Sequence, residues 1–373
     1  MTCLRPGERV DLVIVGAGIV GLAHAVAAVE RGLSVAVIER DERAVGASVQ
    51  NFGHGCFTAQ DGRALDYARQ ARGVWLRLAK RAGFWIREAG TVVAARAEDE
   101  LAVLAEFAAR RDGEAQLLNA AGVAARVPGL AGVIGGAWLP ADLRVDPRSA
   151  VAALAAWLAE QGVRFHWRTT MLGLDPDGIH TSRGLIRGTH QVVCVGHNVD
   201  RILPAIADDH GITRCDLQML RVANPRSTEI EPAVLTGFSL LRYDGFLACS
   251  ASRRVRARLA EQHSEAMAMG LNLMFTQAPD GDLIIGDTHA YDRTRDAFND
   301  ETRDEQVLSR TAELLGVDRL TIRQRWRGRY ASAADPFLIA EPSPQTRVVS
   351  VTTGIGMTTA FGLAEDVLTN LLH

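Results

Sequence analysis

The pattern of hydrophobic positions is most regular over residues 10–39. Residues 12–15 form an apolar run with the length and β-branched content of a buried parallel strand. After a glycine-rich break at residues 16–21, small and apolar residues recur with helical spacing over residues 22–29, and a second apolar run covers residues 34–38. The pattern therefore predicts a strand–helix–strand unit near the start of the chain.

The same patterning predicts the elements farther along the chain. Helices are predicted at residues 62–82, 98–111, 147–161 and 302–315, and a strand, a second glycine-rich turn and a helix at residues 348–352, 354–359 and 360–371. The middle section, residues 216–325, alternates strands with longer polar segments.

These elements predict an α/β fold with two interleaved domains. The first is a Rossmann-like dinucleotide-binding domain with a central parallel sheet, and the second is an α+β substrate-binding domain with an antiparallel sheet. The predicted boundaries are residues 1–84, 142–215 and 326–373 for the first domain, and residues 85–141 and 216–325 for the second.

The first glycine-rich turn has the residue types that a bound dinucleotide requires. Gly16 permits a tight turn from strand to helix, and Gly18 lets the backbone approach a pyrophosphate. Gly21 lets the helix lie close to the strand, and the helix N-terminus offers unpaired N–H groups to the phosphates. Glu39, at the end of the second strand, can accept hydrogen bonds from a ribose hydroxyl.

Composition narrows the possible partners. The 373 residues carry a net charge of −3, so there is no basic surplus for nucleic acid or an anionic membrane, and neither is expected as a partner. Residues 1–10 lack the apolar core of a secretory signal, so none is expected, and no window contains 18 uninterrupted apolar residues. Five cysteines without a CxxC pair predict reduced thiols, hence a cytoplasmic protein, and no metal cluster can be argued from spacing.

Four motifs together resemble the D-amino-acid oxidase superfamily, which includes glycine and sarcosine oxidases. They are GAGIVG with Glu39, the GASxxN loop at residues 46–51, CVGH at residues 194–197 and the C-terminal TGIGMTTAFG. The resemblance covers nearly the whole chain and implies an FAD enzyme that oxidises amines. The segments ASVQNFGH, GDTHAYD and RWRGRYAS are similar to a branch associated with bacterial aminophosphonate breakdown.

The resemblance also implies which residues hold the FAD. The pyrophosphate, ribose, adenine and flavin contacts would come from Gly16, Gly18, Ile19, Val20, Gly21, Glu39, Arg40, Ala47, Ser48, Asn51, Phe52, Gly53, Met171, Gly196, Gly354, Gly356, Met357 and Thr358. The second glycine-rich turn would place a helix N-terminus near the flavin N1 edge, where reduction leaves negative charge. Since the C-terminal loop has no cysteine, we expect FAD to be bound non-covalently.

The substrate contacts depart from the pattern of glycine and D-amino-acid oxidases. Where those enzymes place a carboxylate-binding arginine after a Trp-x-Gly-x step, this chain has Tyr330, with Arg329 one residue earlier and therefore on the opposite face of a strand. This leaves room for another anion, with the Tyr330 hydroxyl as donor and an arginine from elsewhere.

Further side chains are candidates for the substrate site. His54, His289 and Tyr330 are the candidate catalytic residues, and Gln218, Arg221, Tyr291 and Arg327 the candidate substrate-binding residues. Each histidine also fits a structural or solvated position, and Gln218 and Arg221 equally fit buried polar structure. The alternating arginines 323, 325, 327 and 329 fit either a guanidinium cluster for a dianion or a strand face with surface ion pairs.

The leading functional hypothesis is an FAD-dependent amine oxidase. It would transfer a hydride from the α-carbon of a small anionic amine, 2-aminoethylphosphonate or an N-alkylated form, to flavin N5. The imine would then hydrolyse to an aldehyde and an amine, and O₂ would be reduced to H₂O₂. The alternatives are a flavin dehydrogenase that passes electrons to a quinone or carrier protein, a nicotinamide-dependent dehydrogenase and a non-catalytic dinucleotide sensor.

Overall fold

The fold contains two large β-sheets. The computed structural model describes residues 9–226 and 228–372. The strands are β1 (Arg9–Val15), β2 (Val35–Ile38), β3 (His54–Gly55), β4 (Ile86–Arg87), β5 (Thr91–Ala95), β6 (Gln116–Asn119), β7 (Gly135–Leu139), β8 (Leu143–Val145), β9 (Arg164–His166), β10 (Met171–Asp175), β11 (Gly178–Thr181), β12 (Gly184–Val193), β13 (Thr213–Val222), β14 (Ala233–Leu235), β15 (Met274–Gln277), β16 (Leu283–Asp292), β17 (Ile322–Ser332), β18 (Phe337–Ser343) and β19 (Thr346–Val351).

Twelve α-helices accompany these strands in the described residues. They are α1 (Ile19–Glu30), α2 (Gly62–Ala82), α3 (Glu98–Arg110), α4 (Ala120–Arg126), α5 (Pro147–Glu160), α6 (Val199–Ile202), α7 (Pro204–Asp209), α8 (Asp244–Leu247), α9 (Ser252–Gln262), α10 (Ser264–Ala268), α11 (Glu301–Leu314) and α12 (Gly356–Leu372). Short 3₁₀ turns lie at Gly196–Asn198 and Ser239–Leu241.

The first sheet is built around β1. Strand β1 pairs in parallel with β2 on one side and with β12 on the other, β12 also pairs in parallel with β19, and β2 pairs in parallel with β9. Residues Leu12 and Ile14 belong to the core formed with α1, α2, α5 and α12, whereas Val13 and Val15 belong to the core on the other face. Burial on both faces explains why this strand is a continuous apolar run.

The second sheet has the order β17-β13-β16-β15-β14-β5-β7-β6. All of its pairings are antiparallel except that between β14 and β5. Its core includes apolar residues of α3, α9 and α11, and a small sheet of β3, β8 and β4 completes the strands of the described chain.

The predicted mixed α/β class is confirmed. The predicted helix at residues 62–82 coincides with α2, but the last helix begins at Gly356 and not at residue 360 as predicted. Residues of a first helical turn need no apolar periodicity, so a glycine-rich sequence can already be helical there. The division into two domains stays a prediction.

Two further observations concern the cellular setting. Within residues 9–226 and 228–372, no helix is both long enough and apolar enough to cross a membrane. Cys56, Cys194, Cys215 and Cys249 are buried free thiols. Cys3 lies outside the described residues.

The contact between α1 and the turn that precedes it gives a testable prediction. A Cβ on Gly21 would lie 1.9 Å from the backbone oxygen of Gly16 and 3.3 Å from the Ile14 side chain. We expect Gly21→Ala to lower the free energy of unfolding by at least about 1–3 kcal/mol, because the backbone must shift to admit the methyl group. Urea unfolding of the purified protein measures this.

Gly73→Ala is the matched control. Gly73 also lies inside a helix, but a Cβ there meets nothing within 4 Å. The control should raise stability by about 0.5–1 kcal/mol, the ordinary helix preference of alanine over glycine. Equal effects of the two substitutions would show that the close approach of α1 to its turn is unimportant.

Candidate active site

The two glycine-rich turns of the chain line one cavity. Gly16 and Gly18 follow β1, Gly354 follows β19, and Gly356 begins α12. Because β1 and β19 both pair in parallel with β12, they run in the same direction and their carboxyl ends lie at the same edge of the sheet. Parallel sheets bind dinucleotides at this edge.

The turn after β1 fits a phosphate group. Gly16 has a φ of +103°, and a Cβ on it would lie 2.3 Å from the backbone oxygen of Cys194. A Cβ on Gly18 would lie 3.0 Å from the Ser48 hydroxyl oxygen. The N-cap residue of α1, Gly18, has no side chain to cap the helix, and the first turn has no acidic residue, so the N-terminus is favourable for an anion.

Two side chains hold this turn in place. The Glu39 carboxylate accepts hydrogen bonds from the backbone N–H of Ala17 at 2.9 Å and of Asp41 at 3.1 Å. The Ser48 hydroxyl accepts one from the Ile19 N–H at 2.8 Å. Each carboxylate oxygen has a second lone pair, so Glu39 can support the turn and still accept a hydrogen bond from a ribose hydroxyl.

The turn after β19 forms the other end of the cavity. Gly354 has a φ of +78°, and a Cβ on it would lie 3.1 Å from the ring of Tyr330. Helix α12 has no acidic residue in its first turn, and Trp75 Nε1 donates to the Met357 carbonyl at 2.8 Å. A fixed helix N-terminus can stabilise negative charge that develops nearby.

Most of the residues predicted to bind FAD line this cavity. They are Gly16, Gly18, Ile19, Val20, Glu39, Arg40, Ala47, Ser48, Asn51, Phe52, Met171, Gly196, Gly354, Gly356 and Met357. Three others lie behind its wall: Gly21 against Gly16, Gly53 against the Val145 carbonyl, and Thr358, whose hydroxyl accepts a hydrogen bond from the Cys56 N–H at 3.2 Å. Cofactor contacts by these three residues stay a prediction.

A separate group of polar side chains lines the part of the cavity next to Gly354. Its members are Arg242, Tyr243, Asn272, Asp287, His289 and Tyr330. Strands β16 and β17, which carry the last three, both pair with β13. The second sheet therefore brings these residues to the cavity formed by the first.

Arg242 is the cation of this group. Its guanidinium donates to the Tyr291 hydroxyl at 3.0 Å, and within the described chain no carboxylate lies within 4 Å of it. Burial lowers the pKa of Arg242, but nearby Tyr291, Tyr330 and Asp287 raise it by more, so the guanidinium stays charged. A half-buried guanidinium without a carboxylate partner is suited to bind an anionic ligand.

Asp287 and His289 are buried in the same wall. Burial raises the pKa of Asp287 to about 7, although Arg242 and the Asn272 amide act in the opposite direction. His289 Nδ1 lies 2.9 Å from the Gly270 carbonyl, and burial together with Arg242 lowers the pKa of His289 to about 3. His289 is therefore neutral, with its proton on Nδ1 and an acceptor nitrogen at Nε2.

Tyr330 and Tyr291 surround Arg242 differently. Tyr330 lines the cavity, and burial raises its pKa, so the hydroxyl stays protonated and can donate a hydrogen bond. Tyr291 lies outside the cavity wall and is about half exposed, but its hydroxyl accepts the hydrogen bond from Arg242. Tyr291 is thus placed to orient the guanidinium.

His54 and Gln218 lie away from the cavity wall. His54 Nε2 is 2.7 Å from the Thr91 hydroxyl and 3.6 Å from a carboxylate oxygen of Asp142, in a buried position. The Gln218 amide donates to the Asp300 carbonyl at 2.9 Å and to the Asp304 carboxylate at 3.1 Å. Protein groups satisfy the Gln218 amide, whereas the buried His54 Nδ1 has no hydrogen-bond partner among the described residues.

Arg221 and Arg327 are bound to other parts of the protein as well. Arg221 is paired with the carboxylates of Asp280 and Asp282. Arg327 donates to the Asp296 carbonyl at 2.6 Å and lies 3.7 Å from the Asp216 carboxylate. Neither guanidinium lines the cavity.

The alternating arginines of β17 form ion pairs. Arg323 lies 3.9 Å from Asp282, Arg325 lies 2.8 Å from Glu301 and 3.1 Å from Asp304, and Arg329 lies 2.7 Å from Asp216. With Arg327 also near Asp216, each guanidinium of the series has an acidic partner. This arrangement corresponds to the ion-pair alternative, except that two of the acidic partners, Asp216 and Asp304, are buried and not at the surface.

Sequence reasoning missed Arg242, Asn272 and Asp287. The signal for Asp287 was a charged residue directly after the apolar run of residues 283–286, where an acid is rarely buried without a purpose. Arg242 carried a weaker signal, an arginine between Leu241 and Tyr243. Asn272 had none, because its role depends on a contact across the fold.

The fold and the cavity together define a class: proteins that bind a dinucleotide at the carboxyl edge of a parallel sheet. The model of the DAO family, described as FAD dependent oxidoreductase, matches residues 11–370. The chain belongs to this family, and FAD is its cofactor. When bound, FAD supplies the acceptor for two electrons.

Similar proteins agree with this assignment. The bifunctional protein ThiO/ThiG of Nostoc sp. is 27% identical over 233 residues, which cover 58% of this chain and only 35% of that relative. Glycine oxidase from Geobacillus kaustophilus has a TM-score of 0.78 at 19% identity, covering 98% of this chain and 95% of its own.

Two further solved structures are similar over most of their length. L-proline dehydrogenase from P. horikoshii has a TM-score of 0.78 at 20% identity, covering 96% of this chain and 92% of its own. FAD-bound L-α-glycerophosphate oxidase from Mycoplasma pneumoniae has a TM-score of 0.79 at 18% identity, covering 98% and 95%. At these identities the likeness establishes the fold.

The Glu39 contacts give a testable prediction on cofactor binding. Glu39→Gln replaces one of the two acceptor oxygens by an NH₂ group, which faces a backbone N–H. We expect the Kd for FAD to rise about tenfold, since a hydrogen bond to a charged group contributes about 1.5 kcal/mol or more. Flavin fluorescence during titration of the apoprotein measures the Kd.

Glu42→Gln is the control, because Glu42 is exposed on the loop three residues farther on. Its Kd for FAD should equal that of the wild type. An unchanged Kd in Glu39→Gln would contradict a role of Glu39 at the adenosine end.

Proposed function

We propose that the protein is an FAD-dependent oxidase of a small anionic amine, with 2-aminoethylphosphonate or an N-alkylated form as substrate and O₂ as electron acceptor. The substrate would lose a hydride from its α-carbon to the flavin, and water would hydrolyse the resulting imine to an aldehyde and either ammonia or, from an N-alkylated substrate, an amine. The unpaired thiols of the described chain agree with a cytoplasmic location.

The observation that carries this proposal is the position of Arg242. It is the one cavity-lining arginine near Gly354 whose guanidinium lacks a carboxylate partner in the described chain, whereas Arg329 is bound to Asp216. A ligand anion would replace the missing partner, and the planar guanidinium matches a carboxylate or phosphonate with two hydrogen bonds. The Tyr330 hydroxyl is available as a further donor.

The amine part of the proposal rests on family and neighbours. Glycine oxidase, L-proline dehydrogenase and L-amino acid deaminase from Proteus vulgaris, by their names, act on amino acids, and all three share this fold. The wall residues of this chain fit such a ligand, since Arg242 can hold an anion while Asp287 and His289 face the remainder of the cavity.

The similarity to L-proline dehydrogenase keeps a dehydrogenase as the second candidate. Such an enzyme would pass electrons to a quinone or carrier protein and its reduced flavin would react slowly with air. Stopped-flow reoxidation of the reduced holoenzyme by air-saturated buffer separates the two. Slow reoxidation would overturn the oxidase part of the proposal and leave the substrate class untouched.

The substrate prediction is tested by a peroxide-coupled screen. The purified holoenzyme is assayed with 2-aminoethylphosphonate, its N-methyl form, glycine, sarcosine and D-alanine. We expect the highest kcat/KM with one of the two phosphonates. Turnover of glycine or D-alanine alone would contradict the phosphonate assignment while leaving amine oxidation intact.

The anion-binding role of Arg242 is tested by Arg242→Met, which keeps the length of the side chain without its charge. We expect the KM for the best anionic amine to rise by about 10- to 150-fold, the equivalent of about 1.5–3 kcal/mol for a charged hydrogen-bonding group. Steady-state kinetics measure KM.

Arg323→Met is the matched control. Arg323 is more than half exposed and lies 3.9 Å from Asp282, so its pair contributes little. Its KM should remain within about twofold of the wild type. An unchanged KM in Arg242→Met would contradict anion binding by Arg242, on which the proposed substrate class depends.

A further inference from the structure

We propose that Asp287 binds the ammonium group of the substrate and accepts its proton, so that the amine is neutral before it is oxidised. This inference rests on the proposed function and adds to it a residue that recognises the amine. Arg242 would hold the anionic end of the substrate and Asp287 the cationic end.

The backbone of β16 directs Asp287 out of its sheet. In the pairing of β16 with β13, Gly286 lies opposite Met219 and Thr288 opposite Gln218, so Asp287 is the extra residue of a β-bulge. Its own N–H and C=O pair with the C=O and N–H of Asn272, both at 2.7 Å. Bulges redirect side chains, and here the redirected carboxylate lines the cavity.

A chain of hydrogen bonds orients the carboxylate. The Asn272 side-chain amide donates to Asp287 Oδ1 at 3.1 Å, and the Ser239 hydroxyl donates to Asn272 Oδ1 at 2.8 Å. All three residues are buried. Because Asn272 fixes Oδ1, the other oxygen, Oδ2, is the one that can receive a proton; it lies 3.7 Å from His289 Nε2.

The oxidation of an amine requires this proton to leave first. An alkylammonium with the pKa of a lysine side chain, ~10.4, is neutral in only about one molecule in 2,500 at pH 7. Hydride loss from the α-carbon needs the nitrogen lone pair, which is absent in the ammonium form. In the proposed step the N–H bond breaks, its electrons stay on nitrogen as the lone pair, and the proton forms a bond to Asp287 Oδ2.

The groups that face Asp287 leave it able to accept a proton near neutral pH. Arg242 is cationic, His289 is neutral, and Tyr243 and Cys215 are protonated because burial raises the pKa of each. Burial raises the pKa of Asp287 to about 7, and Arg242 prevents it from rising further. Such a group is ionised above neutral pH and basic enough to take a proton.

The same arrangement would discriminate between substrates. A hydroxy acid carries the anion for Arg242 but no ammonium group for Asp287, so it would leave a buried carboxylate unpaired. A site with one charge of each sign therefore favours a zwitterionic amine over its hydroxy analogue.

The test measures flavin reduction by stopped flow in anaerobic holoenzyme, with 2-aminoethylphosphonate and its N-methyl form, from pH 6 to pH 10. We expect Asp287→Asn to slow reduction about 100-fold at pH 7 and less than about fivefold at pH 10, where the free amine is abundant in solution. In the wild type the reduction rate should fall on the acid side as Asp287 becomes protonated.

Asp304→Asn is the matched control. Asp304 is another buried carboxylate, on α11, where it accepts a hydrogen bond from Gln218 and pairs with Arg325. It lies outside the cavity wall, so its substitution should leave the shape of the pH profile unchanged.

Thermal unfolding of the holoenzymes gives a readout independent of turnover. Because the folded pKa of Asp287 is raised from 3.8 to about 7, its contribution to stability is complete below pH 3.8 and is lost as pH rises to 7. The Tm of the wild type should therefore fall relative to that of Asp287→Asn between pH 4 and pH 7, and the difference should then stay constant. A Tm difference independent of pH would show that Asp287 does not change its protonation between pH 4 and pH 7, and would overturn its role as proton acceptor.

The outcomes distinguish a failure of the proposed function from a failure of the role of Asp287. If no amine reduces the wild-type flavin at any pH, the proposed function fails and the role of Asp287 fails with it. If the wild type is active and Asp287→Asn keeps the wild-type pH profile, only the role of Asp287 is overturned. A uniform loss of rate at all pH values also overturns it, because a structural defect would not be relieved at high pH.

Discussion

The parallel pairing of β12 with both β1 and β19 is the constraint on which the site depends. These strands come from opposite ends of the chain, and their common direction places two glycine-rich turns at one edge of one sheet. Each turn leads directly into a helix whose first turn carries no acidic residue. Two helix N-termini thus face a single cavity, an arrangement favourable to the phosphates of FAD and to charge on its reduced ring.

The second sheet determines which charges reach that cavity. Strand β17 carries a row of arginines, but acidic residues from neighbouring strands, loops and α11 pair with them. Arg242 directly follows the 3₁₀ turn at Ser239–Leu241 and has no such partner in the described chain. Many arginines in the sequence therefore do not imply a strongly positive site, because ion pairs within the protein neutralise most of these arginines.

Much of the cofactor side was predictable because its determinants are local. A tight turn, a close helix–strand contact and an acid at the end of the next strand lie within about 25 residues, and each requires a particular residue type. The substrate side was less predictable. His54 and Arg221 are chemically suitable side chains that bind Thr91 and two aspartates instead, and nothing in their local sequence reveals these distant partners.

The sequence by itself determined the α/β class, the dinucleotide turn and the family resemblance, since patterning and glycine requirements act over short stretches of chain. Only the tertiary structure decided that Arg242 stays without a carboxylate and that a bulge turns Asp287 into the cavity. The physical reason is that the charge and reactivity of a buried side chain depend on what surrounds it, and those neighbours come from segments far apart in the chain.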